Sequence, residues 1–214
     1  EKDKPQIIER ARNDLEELIS HLNSVKMHIG YNNLSFDSQI IQYILNNKDY
    51  FLGDIRIEEV VANIYDYAQS TIELSNRGGF SEFPEWMLTI SQLDLFKIKH
   101  FDNKAKMQSL KGLEFWMCYP NVQDMPINHK DTVVESQIDE ILDYNLNDVE
   151  ATFAFYKLCL TEIELREQLS KEFKLNLLNA NDPKIGAEIF AKLLSEDMKV
   201  DKKELKKLRT YRDS

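Results

Sequence analysis

The chain has 214 residues, of which 43% are hydrophobic and 30% charged, a composition typical of a folded globular protein and not of a disordered one. Its 27 Lys and Arg residues are outnumbered by 37 Asp and Glu residues, and the formal charge of -10 excludes a surface that grips duplex phosphates indiscriminately. No apolar run approaches the roughly 20 residues that span a bilayer, so we expect a cytoplasmic protein without a membrane partner.

The first half of the chain predicts alternating helices and strands. Apolar residues recur at helical spacing or alternate with polar ones, and polar or glycine-containing segments separate the runs. A strand followed by a polar turn and a helix is typical of α/β architecture. The predicted elements are a helix over 5–24, a strand over 25–30, a helix over 36–47, a helix over 57–74 and a strand over 90–98.

The second half predicts mainly helices. Ser109 is placed to cap a short helix over 109–117, a long helix is predicted over 135–171, and another over 185–198. Cys118 and Cys159 stand in apolar surroundings without metal-ligand spacing, so we expect buried free thiols. The predicted buried stripe of the long helix consists of Ile138, Ile141, Leu142, Val149, Phe153, Tyr156 and Leu160.

Two strands are too few for a stable sheet, so we expect further strands upstream of residue 1. The chain begins with Glu1 and ends in a charged stretch, Lys206 to Ser214. Both features favour a piece of a longer polypeptide.

The segment Asn33-Leu34-Ser35-Phe36-Asp37 places a carboxylate in the first turn of a helix, directly after a predicted strand. Such an acid can point from the end of the sheet toward a ligand. It can equally serve, with Ser35 beside it, only as a helix cap, and from this segment alone the two interpretations weigh about the same.

The segment Tyr144-Asn145-Leu146-Asn147-Asp148 places a phenol and a carboxylate one helical turn apart on the same face. Taken alone, a tyrosine at the edge of the core and a solvated aspartate explain this spacing better than a functional site does.

Together, the two segments resemble the second and third exonuclease motifs of the 3′–5′ proofreading domain of family B DNA polymerases, Gly30 to Asp37 matching the second and Tyr144 to Asp148 the third. Their order and separation agree with that family. The likeness is strongest to phage polymerases, and it is supported by 93–96 (LDLF) and 109–114 (SLKGLE). The resemblance covers roughly residues 5 to 160 and implies a helix-rich, ribonuclease-H-like α/β exonuclease fold.

The resemblance implies that Asp37 and Asp148 help hold two divalent ions, Mg²⁺ or Mn²⁺, and that Tyr144 orients the attacking water. It also implies that Asn33 and Phe36 contact the 3′-terminal nucleotides of single-stranded DNA. A tyrosine in the third motif points to the polymerase branch of the DEDD exonucleases. These roles agree with the chemistry, because two-ion hydrolysis needs oxygen ligands and an aromatic ring can stack on any base.

The family's first motif, a D-x-E pair on a strand, has no counterpart in strand context here. Asp14-Leu15-Glu16 has the letters but lies in a predicted helix, where residues two apart diverge by about 200°. We therefore expect the N-terminal strands and the first motif to lie upstream, and this fragment alone to be inactive. The phosphate-contacting lysine of the phage domains remains unassigned between Lys111 and Lys130.

The prediction is thus a later part of an exonuclease domain over 1–160 and a helical extension over 161–214 leading toward a polymerase region. Its partners would be the rest of the polymerase and a single-stranded 3′ end, in the bacterial cytoplasm if the protein is phage-encoded. Two alternatives remain open: a free-standing DEDD-type exonuclease, which could act on RNA, and a non-catalytic single-strand-binding or scaffold module of a replisome.

Overall fold

The computed structural model describes residues 4–99, 109–127, 133–201 and 204–205 of a helix-rich α/β protein. None of the helices in these ranges has the length and apolar character needed to cross a bilayer. The helices and strands are α1 (Lys4–Ser24), β1 (Met27–Gly30), α2 (Asp37–Asn46), α3 (Lys48–Phe51), α4 (Ile57–Asn76), β2 (Ser91–Asp94), α5 (Leu95–Lys99), α6 (Leu110–Trp116), α7 (Ile138–Leu158), α8 (Leu160–Phe173) and α9 (Asp182–Met198).

The chain divides into two compact units, Glu1–Asp94 and Leu95–Ser214. The boundary predicted at 160/161 lies inside the second unit, next to the junction between α7 and α8. As a division between exonuclease and extension it remains a prediction.

Both strands found in the described part of the chain lie in the first unit. β1 and β2 pair in parallel, with Met27 opposite Ser91 and Gly30 opposite Asp94. A parallel pair needs a crossover connection, and here α2, α3 and α4 supply it. The helices pack around a hydrophobic core of Leu15, Ile19, Ile44, Phe51, Ile55, Ile57 and Val60.

Two buried glutamines of α2 fix the segment that leads into β2. The Gln39 amide accepts from the backbone N–H of Phe83 at 2.8 Å and donates to the Phe83 carbonyl at 2.9 Å. Gln42 accepts from the Thr89 backbone N–H at 2.7 Å and donates to its hydroxyl at 3.0 Å. These paired bonds satisfy backbone groups that no helix or strand ladder reaches.

The second predicted strand is shorter than expected, since β2 ends at Asp94 and residues 95–99 form the helix α5. Leu93, Leu95 and Ile98 are all buried, so apolar residues face the protein on every side. A run of this kind has no polar face, and its periodicity does not separate strand from helix.

The long helix predicted over 135–171 is two helices. A 3₁₀ turn at Glu135–Gln137 leads into α7, and the helix breaks at Cys159, whose backbone angles of φ -96° and ψ 0° are not helical. α8 then runs from Leu160 to Phe173. Cys159 is fully buried, as predicted, whereas Cys118 is exposed and the prediction of its burial is wrong. Cys118 has a φ of 53° just after α6, in a turn at the surface.

The buried stripe predicted for α7 is also wrong. The buried residues of this helix are Asn147, Ala151 and Phe155. Most of the apolar residues expected inside are exposed instead, namely Ile138, Leu142, Val149 and Phe153, together with Leu160 at the start of α8. The buried face of α7 is thus of mixed character, and its most apolar residues face outward.

Candidate active-site residues

The turn between β1 and α2 is held by the carboxylate of Asp94, at the end of β2. Asp94 accepts the backbone N–H of Asn32 at 2.7 Å and that of Leu34 at 3.3 Å. Asn32 has a φ of 60°, a left-handed conformation that asparagine tolerates better than most residues. Asp94 therefore acts as a hydrogen-bond acceptor at the end of its strand.

Asn33 is buried against the same strand. Its side-chain N–H donates to the Gln92 amide oxygen at 2.8 Å, and its own Oδ1 is buried without a hydrogen-bond partner among the described residues. Gly30 makes room for this side chain, since a Cβ at Gly30 would stand 2.8 Å from the Asn33 Cβ. Asn33 is 4% exposed, and a nucleotide contact by it remains a prediction.

Phe36 and Asp37 begin α2. Phe36 occupies the cap position and no side chain supplies a cap hydrogen bond there, so Asp37 is a first-turn residue of α2 and not its N-cap. Asp37 as a whole residue is exposed, but burial partly desolvates its carboxyl. This desolvation raises the pKa of Asp37, and a hydrogen bond from its own backbone N–H opposes the rise.

A groove lined mainly by polar side chains runs beside Phe36, between α4 and the start of α2. Hydroxyl and amide groups line the end next to Phe36, and the groove continues past Tyr67 toward Glu82. Its shared lining residues are Ser35, Thr71 and Ser75. An aromatic ring beside hydroxyl groups can stack on a base while the hydroxyls bond to sugar or phosphate oxygens.

Tyr144 and Asp148 lie on one face of α7 and are hydrogen-bonded to each other. The Tyr144 hydroxyl donates to the Asp148 carboxylate, which opposes the rise that burial causes in the pKa of Asp148. Desolvation and the charge of Asp148 raise the pKa of Tyr144, and the Glu114 and Asp124 charges add to the rise. Tyr144 therefore stays protonated and can still accept a hydrogen bond from a water molecule.

Glu114 of α6 faces this pair. Its residue is 1% exposed, and its Oε1 atom has no hydrogen-bond partner among the described residues. Burial raises the pKa of Glu114, the charge of Asp148 adds to the rise, and Lys111 opposes it. The sequence does not single out Glu114, because its burial near Asp148 depends on how α6 packs against α7.

The candidate lysines and the Asp14-Leu15-Glu16 segment lie at the surface or outside the described residues. Lys111 forms an ion pair with Asp124, and Lys130 lies outside the described residues. Asp14 and Glu16 are exposed on either side of the buried Leu15, in the helix that the sequence predicts for this segment.

The structure thus places Asn33, Phe36 and Asp37 together in the first unit, and Tyr144 and Asp148 together in the second. Within the described part of the chain, no three His, Cys, Asp or Glu side chains converge on a metal position. The carboxylate oxygens of Asp37 and Asp148 are nevertheless the donor type that Mg²⁺ and Mn²⁺ prefer. No protein-family model, curated protein or solved structure matches this chain.

Proposed function

We propose that this chain is the later part of the 3′–5′ proofreading exonuclease domain of a phage-type family B DNA polymerase, with a ribonuclease-H-like fold. The observation that carries the proposal is the hydrogen-bonded pair of Tyr144 and Asp148, because the third exonuclease motif requires both groups at one place. The parallel strands, connected through α2, α3 and α4, agree with the α/β class to which that fold belongs.

Asp37 and Asp148 would hold two divalent ions, which supply charge stabilisation at the phosphate and activate water when bound. Asp37 suits this role because the residue is exposed in the first turn of α2, where its carboxyl accepts a hydrogen bond from its own backbone N–H. Tyr144 would orient the water through its hydroxyl, which the bond to Asp148 holds in one direction. Single-stranded DNA with a free 3′ end would be the substrate and a nucleoside monophosphate the product.

Phe36 would stack on the terminal base, and the groove beside it would accept the sugar and phosphate. The hydroxyl groups of Ser35, Thr71 and Ser75 suit a substrate that is bound without regard to its sequence. A site of this kind removes any nucleotide, as proofreading demands.

The test is digestion of a 5′-labelled single-stranded oligonucleotide with Mg²⁺ or Mn²⁺, by the longest natural reading frame that contains these residues. We expect stepwise shortening from the 3′ end and no activity of the 214-residue chain alone. Asp148→Ala should abolish digestion, whereas Tyr144→Phe should leave a remainder, because one hydrogen bond contributes on the order of 1 kcal/mol.

The matched control is Asp143→Ala, which removes an exposed carboxylate from the same helix and should leave digestion unchanged. Two residues that hold the same two metal ions act as a unit. The double variant Asp37→Ala with Asp148→Ala should therefore digest DNA no more slowly than either single variant. The proposal would be rejected if the Asp37→Ala variant and the Asp148→Ala variant both still digest DNA, or if the longer wild-type protein does not digest it.

A further inference from the structure

Glu114 is a buried acid without a hydrogen-bond partner for one of its oxygens. Its residue is 1% exposed in the short helix α6, and Oε1 has no partner among the described residues. A buried carboxylate is costly unless it is paired, hydrogen-bonded or coordinated to a metal ion. The position therefore calls for a partner that the described protein groups do not supply.

The groups around Glu114 make that partner a cation. The charges that act on Glu114 are Asp148, which repels it, and Lys111, which attracts it. Lys111 is already paired with Asp124 at the surface. The remaining neighbours that feel the Glu114 charge are the hydroxyls of Tyr144 and Tyr119.

A second unsatisfied polar group lies on the same face of α7. Asn147 is 4% exposed, and its Nδ2 has no partner among the described residues, although its Oδ1 accepts from Asn121 at 2.9 Å. Residues 144, 147 and 148 share one helical face, so these groups flank the contact of α6 with α7. The Asn147 Nδ2 group is a hydrogen-bond donor and does not ligate a cation, so its part at this contact would be to hold a bridging water.

We propose that Glu114 and Asp148 together bind a divalent cation where α6 packs on α7. The second unit would then contribute two carboxylate ligands to the chemistry, and Glu114 would be an ion ligand outside the three exonuclease motifs. The proposal deepens the proposed function and rests on it for the role of Asp148 as an ion ligand.

The experiment is Mn²⁺ binding to the 214-residue chain, followed by the electron paramagnetic resonance signal of free Mn²⁺. Wild-type protein should bind Mn²⁺, and Mg²⁺ should compete. Glu114→Gln, which keeps the side-chain volume, and Asp148→Asn should each weaken binding by at least about tenfold. Glu150→Gln is the control, because it removes an exposed carboxylate of α7 and should bind as the wild type does.

A measurement on the wild type alone guards against a variant that fails to fold. Bound Mn²⁺ should broaden amide resonances around Glu114 and Asp148 first, and broadening centred elsewhere would overturn the proposal. Wild-type affinity in folded Glu114→Gln protein would also overturn it. Digestion that depends on Asp37 and Asp148 while Glu114→Gln binds Mn²⁺ normally would reject this inference alone. Mn²⁺ binding that needs Glu114, without any digestion by the longer protein, would reject the proposed function alone.

Discussion

The conformation of the turn after β1 depends on a few closely packed residues. Asp94 holds the backbone of this turn, and Asn33 fills the volume above Gly30. Asp37 follows directly at the start of α2. The position of this candidate ligand therefore depends on the hydrogen bonds of Asp94 and on the packing of Asn33 over Gly30.

Gly30→Ala should destabilise the protein by about 1 to 3 kcal/mol, because its Cβ would meet Asn33 at a distance that real side chains do not tolerate. Urea unfolding measures the change. Gly186→Ala in α9 is the control: a Cβ there meets nothing within 4 Å, and alanine in a helix should stabilise by about 0.5 to 1 kcal/mol. Equal stability of wild type and Gly30→Ala would contradict the close approach.

His28 of β1 should make stability fall on acidification. Burial, and to a smaller extent the charge of His21, lower the pKa of His28 in the folded protein from its ordinary value of 6.5. As the pH falls below 6.5, the unfolded chain takes up the proton first, so folding loses stability until the folded-state pKa is passed. The free energy of unfolding, measured between pH 7.5 and 5, should therefore fall more in the wild type than in His28→Phe.

His21→Gln serves as the comparison for this pH dependence. The loss of stability on acidification should be smaller in His21→Gln than in the wild type, but still larger than in His28→Phe, because burial is the larger cause of the lowered His28 pKa. Parallel stability curves for wild type and His28→Phe across this range would show that His28 titrates alike in both states.

At the scale of elements, α7 shows that the most apolar face of a helix need not be the buried one. Its inner face carries Asn147, Ala151 and Phe155, and it also carries the candidate site residues Tyr144 and Asp148. In the proposed function, Tyr144 and Asp148 use this partly polar face to hold water and an ion, which need oxygen ligands. Sequence periodicity alone would assign this side of the helix to solvent, because its most apolar residues lie elsewhere.

Two phenylalanines of α7 test this assignment. Phe155 is 1% exposed, so Phe155→Ala should cost about 3 to 5 kcal/mol of unfolding free energy. Phe153 is 56% exposed and contacts Tyr156 and the Lys157 ammonium, so Phe153→Ala should cost about 1 kcal/mol or less. Chemical denaturation of both variants compares them, and a larger loss for Phe153→Ala would restore the stripe predicted from the sequence.

At the scale of the whole molecule, each unit has its own stabilising network. In the second unit, the guanidinium of Arg166 is 1% exposed and bridges three parts of the chain. It donates to the backbone carbonyls of Ala180 at 3.1 Å and Ile98 at 3.4 Å, and to the Asp182 carboxylate at 2.7 Å. One charged side chain thus joins α8 to the end of α5 and the start of α9.

Arg166→Met should destabilise the second unit by about 3 to 5 kcal/mol, because the buried carbonyls lose their donor. Asp182→Asn should cost about 1 kcal/mol or less, since the Asp182 side chain is 76% exposed. Hydrogen exchange of the α8 and α9 amides, together with urea unfolding, measures both changes. Similar losses in the two variants would show that the ion pair, and not the carbonyl contacts, is what stabilises this unit.

Local patterns were sufficient to predict α1, β1, α2 and α4 close to their observed bounds, together with Ser109 as the cap of α6. Each depends on interactions within a few residues: a helical or alternating repeat, a glycine at a turn, or a hydroxyl that accepts the Gly112 backbone N–H at 3.1 Å. The candidate residues Asp37, Tyr144 and Asp148 also came from the sequence, because their spacing within short motifs is a local property.

Only the tertiary structure decided which faces are buried and which distant groups meet. It ended β2 at Asp94, broke the long helix at Cys159 and turned the apolar side of α7 outward. It also brought Glu114 to Asp148, and the Asp94 carboxylate to the turn at Asn32. These outcomes depend on contacts between segments far apart in the chain, and a repeat read along one segment carries no information about the surface that another segment presents to it.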